Sequence, residues 1–162
     1  MINRGFTIIE VTTAVFIITV GVVGVFSLIQ QVSVFTSVSG SRLVSSYLSQ
    51  EGIEIVRNIR DSNWLEQRSN PFLLWDDGLP SGNWEADYNS QSLSQVYSAT
   101  SYLNLDSSGF YSYSLGSPTR FKRKISVLKP QADILEISVE VIWDERGRSH
   151  SVTAQYNLYN WR

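Results

Sequence analysis

Between Val11 and Ser41 the chain has no ionisable side chain, and from Val11 to Ile29 it is almost wholly apolar. This run constrains the fold more than any other feature. As a helix, Val11–Ile29 rises about 28 Å, close to the roughly 30 Å of hydrocarbon in a bilayer. Its β-branched residues, Val15, Ile17, Ile18, Val20, Val22, Val23 and Val25, make a mediocre helix in water. Lipid offers the backbone no other hydrogen-bond partner, so there the segment is held helical. We read it as a single membrane span. Arg4 and the amino terminus precede it, and the next basic residue is Arg42. The positive-inside rule therefore leaves the N-terminus cytoplasmic and exports everything after Ile29.

A cleaved secretory signal is the plain alternative, with Ser37-Val38-Ser39 before Gly40 as a small-residue cleavage site. The apolar run is longer than such signals need, and Glu10 stands on its threshold. A carboxylate there is costly, about 2.5–3.5 kcal/mol at the bilayer centre and less at the interface. No basic residue follows within a turn or two, so a partner must lie upstream or on another molecule. A helix-dipole role explains an acid near a helix start, but not one entering a membrane span.

Arg4-Gly5-Phe6-Thr7-Ile8-Ile9-Glu10, followed at once by the apolar helix, resembles the processing site of type IV prepilins and type II secretion pseudopilins. The resemblance implies that a prepilin peptidase cuts between Gly5 and Phe6 and methylates Phe6. It also implies that Glu10 pairs with the Phe6 ammonium of a neighbouring subunit in an apolar filament core, where both charges are costly alone. Gly5 suits such a cut because it lies extended at little steric cost. Motif-level likeness covers residues 4 to about 30. Gln50-Glu51-Gly52-Ile53-Glu54 and Arg57 to Trp64 look like the helix end of minor pilins of the PilV-like kind. Many such proteins have a C-terminal disulfide loop. This chain has no cysteine at all, which leaves its terminal region unassigned.

Gly21 and Gly24 interrupt the span, either for close helix packing or as a point where the helix unwinds. Gln30 to Ser46 is Ser-rich and reads as helix leaving the membrane. Val44, Leu48, Gly52, Ile55 or Val56, and Ile59 then recur at helical spacing. Glu54, Arg57 and Asp61 lie opposite, where i,i+3 and i,i+4 pairs form. Gly52 on the apolar stripe is either a close contact with a sheet or an incidental weak spot. The amphipathic half is expected to end near Asn63.

Residues 66 to 100 read as an irregular connector punctuated by Pro71, Gly78, Pro80 and Gly82, with Trp75 and Trp84 pinning it down. Tyr102–Leu105 and Phe110–Leu115 flank a turn at Asp106-Ser107-Ser108-Gly109. Arg120–Leu128 alternates, with Phe121, Ile125 and Val127 on one face and Lys122, Lys124 and Ser126 on the other. In the clearest hairpin, Leu135, Ile137, Val139, Val141 and Trp143 share a face. After a turn at Asp144 to Arg148, so do Val152, Ala154, Tyr156 and Leu158. The expected fold is α+β: a pilin fold in which a long transmembrane-to-amphipathic helix packs on an antiparallel sheet of about four strands. Its parts are a leader (1–5), an assembly helix (6–30), an amphipathic half (31–65) and a connector with the sheet (66–162).

The chain has 162 residues, enough for one domain. Aromatics make up 12%, including five Trp and eight Tyr, which argues against disorder. Its net charge of -2 gives no overall basic field for nucleic acid. The basic run Arg120, Lys122, Arg123, Lys124 is split by alternation between two faces and reads as a solvated strand. The acids Asp76, Asp77 and Asp87 match no EF-hand spacing and read as a solvated loop rather than a calcium site. His150, the only histidine, reads as a sheet-edge residue rather than a ligand. No nucleophile triad or phosphate loop appears, so neither enzyme activity nor a metal or other cofactor is expected. The resemblance implies a structural, minor subunit of a type IV pilus. Its partners are other pilin subunits, the prepilin peptidase, the pilus assembly platform and membrane lipid. Its destination is the cell surface by way of the cytoplasmic membrane. The alternative is a pseudopilin of a type II secretion or DNA-uptake system; Glu10 argues against the tip-most secretion pseudopilin, which commonly lacks that acid. A plain anchored binding domain is the third reading, if Gly5 is never cut.

Overall fold

The computed structural model describes residues 5–161; residues 1–4, Arg4 among them, and Arg162 lie outside the described residues. Two compact units divide between Gly40 and Ser41. A single helix, α1 (Ile8–Glu66), supplies all of the first unit's regular structure and opens the second. It closes a few residues past Asn63. Asn70 N–H still donates to Glu66 O, and Pro71 prevents any continuation.

Within the second unit, α1 buries Ser41, Ser45, Leu48, Ser49, Gly52, Ile53, Ile55, Val56, Ile59, Arg60 and Trp64. These recur at steps of three and four, as one helix face requires. The serines are the surprise. Sequence alone makes them polar helix on its way out of the membrane, yet Ser41, Ser45 and Ser49 lie in the packed face. Ser41 Oγ donates to Glu145 Oε2 at 3.1 Å and Ser49 Oγ to Ser46 O at 2.9 Å. With Gly52 they form the thin side of the helix. A Cβ on Gly52 falls 2.7 Å from Val139 Cγ1 and 3.2 Å from its Cγ2, so this glycine is a close contact with the sheet. On the outer side Arg57 pairs with Glu54, but Asp61 takes Arg60 instead of Arg57.

The sheet is antiparallel, with strands β1 (Gly82–Glu85), β2 (Gln95–Val96), β6 (Phe121–Gln131), β7 (Ile134–Glu145) and β8 (Arg148–Tyr159) in the order β2-β1-β6-β7-β8. The period-two reading of the last three strands holds. Ile125, Val127, Leu135, Ile137, Val139, Val141 and Trp143 are buried, and β7 and β8 pair without a register shift. The two-residue turn between them has positive φ at Arg146 (54°) and Gly147 (74°), the combination a tight hairpin demands. Tyr156 stays exposed beneath the Arg57 guanidinium, 4.7 Å from its ring centre.

The sheet has five strands rather than about four, because the connector itself contributes β1 and β2. These strands hold four and two residues, too few for alternation to show. Trp75 is in the core, and Trp84 packs against it from β1, opposite Ile125. The expected turn at Asp106 is present, its carboxylate accepting from Ser108 N–H and Phe110 N–H. The flanking strands shrink to β3 (Asn104–Leu105) and β4 (Tyr111–Ser112). With β5 (Ser117–Pro118) they form a separate three-stranded sheet.

Arg123 corrects the reading of the basic run. Its side chain faces inward with no exposed surface. Its guanidinium donates to Leu48 O (3.3 Å) and Ala86 O (2.6 Å) and lies 3.4 Å from Glu51 Oε1. Its carbonyl accepts the Tyr113 hydroxyl at 2.8 Å. Burial, partly offset by the nearby Arg123 charge, pushes the Tyr113 phenol well above its usual range.

Gly52→Ala gains helix propensity of about 1 kcal/mol, but the new methyl meets a fully buried, stiff valine. Overpacking of that kind costs about 1–3 kcal/mol. We expect a lower melting temperature for the variant and a favourable coupling when Val139→Ala is added. A melting temperature at or above that of the wild type rejects the close contact.

Candidate assembly and processing segment

Gly5, Phe6 and Thr7 are irregular, and α1 opens at Ile8. Thr7 is the N-cap. Its carbonyl accepts Val11 N–H at 3.2 Å, the first helical bond, and its hydroxyl accepts Glu10 N–H at 3.3 Å. Thr7-Ile8-Ile9-Glu10 thus has the spacing of a capping box, with the acid at the third helical position. That signal is legible in the sequence, but the apolar context draws attention to Glu10 alone. Gly5 has no atom within 4 Å of where a Cβ would stand, and Phe6 is 81% exposed. The peptide bond between them therefore lies outside the helix and open to approach.

Glu10 sits on the first turn, exposed, and among the described residues its carboxylate has no cationic partner. Within the chain the structure brings Glu10 to Thr7 rather than to Phe6. Every described residue from Gly5 to Ser33 is exposed. That stretch includes the bulky Phe16, Ile17, Ile18, Phe26, Leu28 and Ile29. The helix is long and apolar enough to cross a membrane, and it runs unbroken through Gly21 and Gly24.

The threonines on the helix beyond the cap are turned back onto their own backbone. Thr12 Oγ1 donates to Ile8 O, Thr13 Oγ1 to Ile9 O and Thr19 Oγ1 to Val15 O, at 2.8–2.9 Å. Thr36 does the same with Val32 O. Such bonds leave no free hydroxyl proton facing an apolar surrounding. Glu10 is then the one ionisable group on the segment, and among the described residues its charge is not met locally.

The other candidates are drawn into the fold. Asp76 binds Lys129 Nζ at 2.6 Å, Asp77 caps Leu74 N–H, and Asp87 accepts Tyr113 N–H at 2.7 Å. The three acids are thus engaged separately. His150, on the edge strand β8, stacks on Trp143 with ring centres 5.3 Å apart. Arg120 pairs with Glu145, Lys124 with Glu140, and Lys122 lies over Tyr102.

No protein-family model, curated protein or solved structure matches this chain. The arrangement of one long apolar helix and an antiparallel sheet is compatible with a pilin-like fold.

If this segment spans a bilayer, a charge at its centre costs about 3 kcal/mol of insertion. Val20→Arg is expected to release part of the protein from carbonate-washed membranes. Thr19→Ser keeps the back-bonded hydroxyl and should fractionate like the parent chain. Equal retention of Val20→Arg and parent counts against a spanning segment.

Proposed function

We propose that this chain is a structural, minor subunit of a type IV pilus, clipped by a prepilin peptidase between Gly5 and Phe6 and assembled through its N-terminal helix. One observation carries the reading. An exposed apolar helix face begins just after an open Gly-Phe bond and bears a single acid, Glu10, at its threshold, without a cationic partner among the described residues. Apolar surface of this extent must be covered by lipid or by other helices. A membrane-held precursor passing into a filament core meets that need twice, first with lipid and then with neighbouring subunits. Cleavage creates an ammonium on Phe6, and Glu10 of an adjacent copy neutralises it where both charges would otherwise be buried alone. The sheet domain is exported and displayed on the filament.

Processing is read directly by intact mass of protein from its own host. The expected product has lost Met1 to Gly5 and gained one methyl group. A chain beginning at Gly40 establishes secretory cleavage instead. A chain retaining Met1–Gly5 leaves only an anchored domain.

Glu10→Ala is expected to insert and to be clipped, yet to be depleted from sheared surface fibres. Glu10→Gln should fail likewise, and Glu10→Asp less. Immunolabelling of sheared fibres gives the readout. Normal recovery of the alanine variant rejects the assembly role and leaves Glu10 as an acid favoured by the helix dipole. Absence of the unaltered chain from surface fibres, despite clipping, favours a secretion pseudopilin.

A further inference from the structure

We infer that Thr7 is a positioning residue for proteolytic processing: as N-cap it fixes where α1 begins and so keeps the Gly5–Phe6 bond outside the helix. The inference rests on the proposed function, because it concerns the bond that reading has cleaved. A peptidase grips its substrate as an extended backbone whose N–H and C=O groups are free. A peptide bond drawn into the start of a helix has its C=O already bonded and its backbone no longer extended.

The geometry places the boundary narrowly. Thr7 O takes the first helical bond from Val11 N–H at 3.2 Å, and Thr7 Oγ1 takes Glu10 N–H at 3.3 Å. Phe6, its side chain 81% exposed, is the residue just outside. Removing the cap does not leave the helix start free to move either way. Retreat downstream would strip backbone bonds from a segment bound for lipid, where each unmet group is costly. The start therefore moves upstream. The nearest residue in that direction of a kind that caps helices is Gly5. A helix begun there takes Phe6 as its first helical residue and ties the Gly5 carbonyl, that of the scissile bond, into the first helical hydrogen bond. Threonine at this position serves through its hydroxyl, so substitutes should rank by capping strength rather than by shape.

Thr7→Val and Thr7→Asn separate the two. Valine keeps the branched shape without the hydroxyl, whereas asparagine changes the shape and caps well. The experiment follows release of Met1–Gly5 by mass from full-length protein in vesicles containing a prepilin peptidase. The unaltered chain is run first. If it is not cut at Gly5–Phe6, the proposed function itself fails, whatever Thr7 does. If it is cut, Thr7→Val should be processed about fivefold more slowly, the ratio set by loss of one good cap. Thr7→Asn should run near the parental rate. Backbone chemical shifts of Phe6 in micelles should turn helical in Thr7→Val and stay extended in Thr7→Asn. Parental cleavage of Thr7→Val overturns the inference. So does equal slowing of both variants, which means the peptidase reads the side chain itself. A slow Thr7→Val with an extended Phe6 overturns it too.

Discussion

A guanidinium shut away from water must find its partners within the fold, and Arg123 draws those of its two terminal nitrogens from separate stretches of chain, its Nε alone having none. Leu48 O and Glu51 come from α1, and Ala86 O from the connector just past β1. Breaking such a buried set by removing one member costs about 3–5 kcal/mol. The helix, β6 and the connector are therefore located against one another by a single side chain. The same residue's carbonyl holds the Tyr113 hydroxyl, while Asp87, one residue past Ala86, holds the Tyr113 N–H. The short strands β1 and β2 thus lie in a segment anchored at both its tryptophans and its charges.

The helix face opposite that charge is thin by necessity. Ser41, Ser45, Ser49 and Gly52 let the α1 backbone come close to β7, and Val139 fills the space at Gly52 to the limit of contact. Two of the serines find partners for their hydroxyls within reach, Ser41 on Glu145 beside Arg120 and Ser49 on Ser46 O. The threonines of the first unit use the same device toward another end. Back-bonded to the previous turn, they make a polar side chain acceptable on a surface otherwise made of valine, isoleucine and phenylalanine. One helix thus meets two surroundings with one device, a hydroxyl bonded within reach, although the buried Ser45 hydroxyl goes without it. Glu10 stands outside that device as well, and the proposed function gives it a purpose.

How much of this was legible beforehand follows from the range of the forces involved. Apolar periodicity over many residues reports reliably on its surroundings. It placed the membrane-length run, the stripe from Val44 to Ile59 and the inward faces of β6, β7 and β8. It failed where elements are short or where a residue's environment is made by distant chain. A strand of two residues, such as β2, has no period to read. Arg123 reads as solvated in the sequence because charge alternates along β6, although the position itself is inward. The capping-box spacing of Thr7 and Glu10 was present in the letters, but only the start of the helix at Ile8 makes Thr7 the cap.

The sequence by itself determined the classes of environment: an uncharged run that water cannot solvate, an acid at its edge, a glycine before a phenylalanine, and strands with one dry face. These follow from side-chain chemistry and spacing alone. Tertiary structure decided which polar residues lie inside. Ser45, Ser49 and Arg123 are buried because a sheet and a connector from far along the chain close over them. It also decided that Gly52 is a contact rather than a flaw, because only the approach of Val139 makes a missing methyl group matter.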